Sequence, residues 1–229
     1  MMSEWWTYDL SDLILFSSQT YYRLIEIYNS AIWPLQLVAI LACIALLYLF
    51  RRPFKKFDKA TVMIVIASWL WVAWAFHWQR FANIHWVASH YAFFFVVQAA
   101  LFAWTGIFKN ALHLPTYNKI QRRTGKSLVI FAFFIQPFLT TLEGHHWKQI
   151  ELFGITPEPT VVASIGLLLV YYDRKFWWLF VVPVLWCIVS AATFWVLGSV
   201  NTYVMCIVAL IAVFFIIWPH NRGSQLSEN

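Results

Sequence analysis

The stretch FWWLFVVPVLWCIVSAATFWVLG, residues 176–198, decides the fold because it runs for 23 residues without a formal charge. A helix of that length can cross the ~30 Å hydrocarbon core of a bilayer. Six more runs share its character, so that the set is 31–50, 60–78, 86–108, 127–142, 159–172, 176–198 and 203–219. The sequence therefore predicts an all-α polytopic integral membrane bundle of about seven transmembrane helices.

Composition points the same way. Hydrophobic residues make up 62% of the chain and aromatic residues 20%, whereas charged residues make up only 11%. Charged residues are roughly a quarter of a soluble globular domain. The composition excludes a water-soluble globular fold.

The charges sort by sign along the chain. All 26 lie outside the seven runs, and most cations fall on one predicted face and most acids on the other. One face collects thirteen Lys and Arg with three acids, and the other collects seven acids with three cations. Because cytoplasmic loops retain Lys and Arg, the basic face is predicted inside, with the amino terminus outside and the carboxyl terminus inside. The net charge of +6 arises from short clusters beside the runs, which indicates contact with the lipid bilayer and no nucleic-acid partner.

Three regions follow from this pattern. Residues 1–30 form a predicted outer-face interfacial segment, residues 31–219 the transmembrane bundle, and residues 220–229 a cytoplasmic tail. Within the first region SSQTYYRLIEIYN, residues 17–29, places Tyr21, Leu24, Ile25 and Tyr28 on one face of a helix. That spacing predicts an amphipathic helix on the outer membrane surface.

Histidine is unevenly distributed, since five of the seven histidines fall on the predicted outer side. The candidate metal ligands there are His77, His85, His90, Glu143, His145 and His146. Imidazole and carboxylate are ligands of zinc, copper or iron, and a site needs three or four of them. The spacing matches no metal motif, so two alternatives stay open: a proton-responsive or substrate-binding cluster, and structural histidines at the interface.

Polar residues within the runs are few. Arg80, Gln98 and Gln136 are candidates for lining a polar path, with hydrogen bonding between helices as the alternative for the two glutamines. Glu143, Glu151 and Glu158 are assigned to charged outer loops, and no acidic residue is expected at mid-depth. This distribution disfavours a proton-coupled carrier.

No nucleophile elbow, phosphate-binding loop or dinucleotide fingerprint is present, and no catalytic or cofactor-binding residue is identified. The segments YNSAIWP, residues 28–34, and FGITPEPTVV, residues 153–162, flank the histidine-containing outer loops. Together they resemble a bacterial multipass membrane family known mainly as a domain of unknown function. The resemblance implies a location in the bacterial inner membrane and assigns no catalytic residue.

Three hypotheses of function remain. The first is a small transporter or permease-like component that handles a metal ion or small solute through an outer-face His/Glu cluster. The second is a membrane-embedded metal-dependent enzyme acting on a lipid or apolar substrate. The third is an accessory or assembly subunit of a membrane complex, with a membrane-protein partner or a second copy of itself.

Overall fold

A computed structural model of the protein describes residues 16–51, 59–109, 119–171 and 174–217. Every regular element in these ranges is helical. The α-helices are α1 Ser18–Ala31, α2 Leu35–Arg51, α3 Lys59–Trp71, α4 Ala88–Phe102, α5 Lys119–Phe134, α6 Gln136–Leu142, α7 Pro157–Tyr171, α8 Val181–Leu197 and α9 Asn201–Ile217. Helices α3 and α4 continue as π-helices over Val72–Trp78 and Ala103–Phe108, and 3-10 segments cover Phe81–Asn83, Trp147–Gln149 and Arg174–Phe180.

Several of these helices are suited to a membrane. Lys59–Asn83, Ala88–Phe108 and Phe176–Leu197 are each long and apolar enough to cross one, and two bent pairs of helices raise the number to as many as five among the described residues. Large apolar side chains also stand exposed on the bundle, for example Phe108, Leu210 and Ile217. The all-helical class with apolar spans is confirmed.

The two bent pairs have a proline at the bend. The axis turns by 90° between α1 and Leu35–Leu49, where Pro34 lies in the connecting turn. It turns by 47° between α5 and α6, where Pro137 lies at the start of α6. Proline lacks the backbone N–H that would continue the helical ladder, so a helix breaks or kinks there. The predicted runs 31–50 and 127–142 are therefore not straight helices.

Helix α7 is the centre of the bundle. All fifteen of its residues are buried, and it packs against α3, α5, α8 and α9. The crossing with α5 is very close: a β-carbon added at Gly125 would lie 2.5 Å from the carbonyl oxygen of Gly166, and one added at Gly166 would lie 2.7 Å from that of Gly125. Glycine at both positions lets the two backbones touch.

Helix α1 lies across one end of the bundle. A helix is present where the sequence predicts the amphipathic one, and Tyr21, Tyr22, Ile25 and Tyr28 of it are buried within the protein. It also holds the loop before α7, because the Tyr28 hydroxyl donates to the carbonyl of Ile155 at 3.0 Å. Residues 1–15 of the predicted outer segment and the predicted tail 220–229 lie outside the described residues.

Candidate functional site: a buried pair of carboxylates

Two glutamates lie inside the protein at the end covered by α1. Glu151, in the loop before α7, is 1% exposed, and Glu158, in the first turn of α7, is 3% exposed. The one ion pair among the described residues joins Arg23 to Glu26, so neither buried carboxylate has a cationic partner there. Glu151 thus lies in a loop and Glu158 at the beginning of a helix, and both carboxylates are buried.

Each carboxylate accepts one hydrogen bond from a hydroxyl on another helix. Tyr21 Oη of α1 donates to Glu151 Oε1 at 3.0 Å, and Ser190 Oγ of α8 donates to Glu158 Oε1 at 3.0 Å. The two contacts bring α1, the loop, α7 and α8 together at one polar centre. The free-energy cost of burying these carboxylates is thus only partly offset, because a buried carboxylate needs several hydrogen-bond donors to stay ionised.

A small cavity adjoins Glu158. Oε2 of Glu158 and Nε1 of Trp186 are buried, and neither has a hydrogen-bond partner among the described residues. Both residues line a cavity of about 10 Å³ together with Tyr21 and Ser190. A space of that size admits roughly one water molecule. The cavity therefore offers room for a proton carrier next to the unpaired carboxylate oxygen.

Electrostatics favour the protonated form of this centre. Burial raises the pKa of Glu151 well above its ordinary value, and the nearby charge of Glu158 raises it further. Burial also raises the pKa of the Tyr21 hydroxyl, with both glutamates adding to the effect. Two carboxylates that share a buried site cannot both ionise without cost, so at least one of them is expected to hold a proton at neutral pH.

Aromatic rings and His77 form the wall beside this centre. His77 is fully buried, and neither ring nitrogen has a hydrogen-bond partner in the part of the chain that the structure describes. Its ring lies 4.6 Å from that of Phe95 and 4.8 Å from that of Trp186, measured between centroids. His85 reaches the same wall, because its Nε2 lies 3.4 Å from Tyr91 Oη and the Tyr91 ring packs on Trp186. Burial lowers the pKa of His85.

The other predicted histidine ligands serve different contacts. His90 is exposed on α4. The His145 ring stacks on Tyr22 at 3.6 Å between centroids. His146 Nδ1 accepts from the backbone N–H of Lys148 at 3.2 Å and thereby caps the turn Trp147–Gln149.

The six predicted ligands do not form a metal centre. All of them are described, and among the described residues no three His, Cys, Asp or Glu side chains lie where they could hold a metal ion. His77 and His85 sit in the aromatic wall, whereas the others lie on the surface or support turns. The prediction of a zinc, copper or iron site gains no support from the structure.

Glu143 has a structural contact instead. Its carboxylate accepts hydrogen bonds from the Ser199 hydroxyl at 3.0 Å, from the backbone N–H of Val200, and from Tyr22 Oη at 3.3 Å. Ser199 and Val200 stand just before α9, where the helix dipole favours a negative charge. Glu143 therefore fastens the end of α6 to the beginning of α9.

Replacing Glu143 by alanine is expected to destabilise the protein by about 1–2 kcal/mol, because Ser199 and Val200 lose a charged acceptor. Thermal unfolding in detergent measures the change. Glu143→Gln keeps one acceptor oxygen and should lose less stability than the alanine variant. Equal stability of wild type and Glu143→Ala would contradict this role.

The predicted polar path is not continuous among its three candidates. Gln98 Nε2 donates to the carbonyl of Leu179 at 2.9 Å, which is a bond between elements of the bundle. Gln136 is buried, and neither its amide nitrogen nor its oxygen has a partner. Arg80 lines a separate open groove of about 440 Å³ between α1 and the turn that contains Asn83. Gln98 therefore fits the alternative role, which is hydrogen bonding within the bundle.

The raised pKa of Glu151 predicts the pH dependence of stability. The folded protein holds this proton to a higher pH than the unfolded chain, whose carboxyl titrates near 4.5. Glu151 therefore contributes most to the free energy of unfolding at low pH. This contribution falls as the pH rises above that value, by at most about 1.4 kcal/mol per pH unit. Thermal unfolding measured from pH 5 to 8 should show that the stability of Glu151→Gln, relative to that of wild type, increases as the pH rises.

The control is Glu26→Gln. The hydrogen bond from Arg23 lowers the pKa of Glu26, so its removal should not flatten the decline with pH. A difference between wild type and Glu151→Gln that stays constant over this range would contradict a retained proton on Glu151.

Sequence reasoning missed the buried centre formed by Glu151 and Glu158, their hydrogen-bond donors Tyr21 and Ser190, and Trp186 in the wall of the cavity. One signal was available. Residues 159–172 are apolar around the whole circumference of a helix, and such a helix is buried on every side. A glutamate in the first turn of a fully buried helix is then buried too.

The chain matches no curated protein and no solved structure. A family match covers residues 18–227, which include both buried glutamates and all six predicted metal ligands. That match agrees with the expected membership of a family without an assigned function. The chain therefore belongs to the family of unknown function DUF6064.

Proposed function

We propose that the protein is a small proton-coupled membrane transporter in which Glu151 and Glu158 bind and release the proton. The single observation that carries this proposal is the burial of two carboxylates, without a cationic partner among the described residues, in a bundle of apolar helices. Ionisable groups in such surroundings are costly and belong typically to proton or solute pathways.

The contacts supply roles for each group. Glu158 has one oxygen bonded to Ser190 and one without a partner among the described residues, and the residue lines the small cavity, so the unpaired oxygen takes up or gives up the proton. Glu151 lies close enough for its charge state to depend on Glu158. Tyr21 joins α1 to this pair, so movement of α1 opens or closes the access to it.

The proposed topology has seven spans with the amino terminus outside. It is supported by the three to five apolar spans of the structure, by the apolar helices α7 and α9, and by the sorting of charges. At about 1.5 Å per residue the fifteen residues of α7 rise only about 22 Å, which is less than the thickness of the hydrocarbon core. Its crossing of the membrane therefore depends on its being enclosed by the other helices of the bundle. In a bacterial inner membrane, reporters fused after Asn229 should be active in the cytoplasm, and periplasmic activity would exclude an odd number of spans.

Transport is tested in reconstituted vesicles with a pH dye inside. A pH gradient is imposed, and mixtures of amino acids, sugars, organic acids and amines are added in turn. One mixture is expected to speed the collapse of the gradient over that in protein-free vesicles. If no mixture does so, the transporter proposal fails, and an enzyme or an accessory subunit becomes the better hypothesis.

A further inference from the structure

A long apolar groove lies between α2 and the bent pair α5–α6. Its volume is about 650 Å³. One wall carries Ala39, Cys43 and Leu47 of α2, and the opposite wall carries Phe133 and Phe138. The groove exists because the 90° bend after α1 directs α2 away from α5 and α6, and the principal helix contact of α2 is with α3.

The groove is amphiphilic along its length. Asn29, Ser30, Gln36 and Lys148 line one end, and the side chains of α2 beyond Gln36 that line it are apolar. From Gln36 to Leu47 the helix rises about 16 Å, which is close to half of the ~30 Å hydrocarbon core. The groove thus has the depth of one leaflet, with its polar end at the height of the headgroups.

Charge and hydrogen-bonding capacity at the polar end fit a phosphate-containing headgroup. Lys148 is exposed and forms no ion pair with any described residue, and its Nζ lies 5.8 Å from the centre of the Trp147 ring. Gln36 donates to the carbonyl of Asn29 at 2.6 Å, which fixes the amide at the mouth of the groove. Aromatic and cationic side chains of this kind hold headgroups at the edge of a membrane.

We propose that this groove binds one anionic phospholipid, with an acyl chain between α2 and α5–α6 and the phosphate at Lys148. Ile150, Leu152 and Phe153 line the same groove, and Glu151 stands between them in the sequence. The lipid therefore contacts the loop that carries one of the buried carboxylates. The proposal does not depend on the transport function.

Native mass spectrometry of the full-length protein in mild detergent tests the site, with phosphatidylglycerol and phosphatidylethanolamine of identical chains as probes. Wild type is expected to retain one phosphatidylglycerol. Cys43→Trp fills the groove and should reduce retention at least tenfold. The matched control is Cys206→Trp, since Cys206 is exposed on α9 and should behave as wild type.

Lys148→Gln separates the headgroup contact from the chain contact. It should lower retention of phosphatidylglycerol about fivefold and that of phosphatidylethanolamine less, because the ammonium group of phosphatidylethanolamine already balances the charge of its phosphate. Because Lys148 is an exposed side chain, this variant decides the matter even if Cys43→Trp does not fold. Unchanged preference in Lys148→Gln, equal retention by folded Cys43→Trp, or a dimer that Cys43→Trp dissociates would each overturn the proposal; the last would assign the groove to a second copy of the chain.

Discussion

Replacing Gly166 by alanine is expected to destabilise the protein by about 2–3 kcal/mol, because the new methyl group has no space at the crossing of α5 and α7. It would stand 2.7 Å from the carbonyl oxygen of Gly125 and 3.0 Å from the backbone nitrogen of Val129. These are backbone atoms, so relief requires the two helices to separate. Because α7 is the centre of the bundle, separation loosens its other contacts as well. Thermal unfolding in detergent measures the loss.

Gly144→Ala is the matched control for this crossing. Gly144 has a φ of +87°, but nothing lies within 4 Å of an added β-carbon. Its substitution costs only backbone strain, roughly 1 kcal/mol. A loss at Gly166 no larger than the loss at Gly144 would show that α5 and α7 do not cross as closely as described.

Replacing Glu158 by glutamine is expected to abolish solute-driven proton movement, leaving the rate of protein-free vesicles. Glutamine has nearly the same shape and can still accept the hydrogen bond from Ser190, but it cannot take up or release a proton. The variant should therefore fold like wild type and lose only the coupling of proton movement to solute movement. The measurement is the collapse of the pH gradient in reconstituted vesicles.

Two variants make this result specific. Glu26→Gln removes a partly exposed carboxylate on α1 and should transport protons as wild type does. Ser190→Ala removes the hydroxyl that donates to Glu158 and should slow proton movement without stopping it. Solute-driven proton movement in Glu158→Gln at the wild-type rate would contradict the assignment of the proton site.

The sequence predicts the helical membrane class well, because apolar length and charge placement are properties of the chain alone. The helices at 176–198 and 86–108 follow directly from that reasoning. The bends after Ala31 and before Gln136 were foreseeable only as proline positions, since the 90° and 47° angles depend on packing against neighbouring helices. The amphipathic face of α1 was predictable, whereas its position over the buried end was not.

The candidate site was much harder to predict. Histidines are candidate metal ligands in the sequence because imidazole binds metals. In the structure, however, His145 stacks on a tyrosine and His146 caps a turn. Glu151 and Glu158 lie in a segment that also contains Lys148, Gln149 and two prolines, and such a segment resembles an exposed loop. Their contacts with α1 and α8 exist only in the folded bundle. Burial by distant segments, such as Tyr21 on Glu151, leaves no signal in the local pattern.

Infrared titration of the purified protein tests the central claim most directly, since protonated and ionised carboxyl groups absorb at different positions. Spectra are recorded from pH 5 to 9 for wild type, Glu151→Gln, Glu158→Gln and the control Glu26→Gln. We predict a protonated-carboxyl band at pH 7 that either buried-site variant weakens and Glu26→Gln leaves intact. A wild-type spectrum that shows only ionised carboxylates at pH 7, or a band unchanged by both buried-site variants, would contradict the proposed proton site.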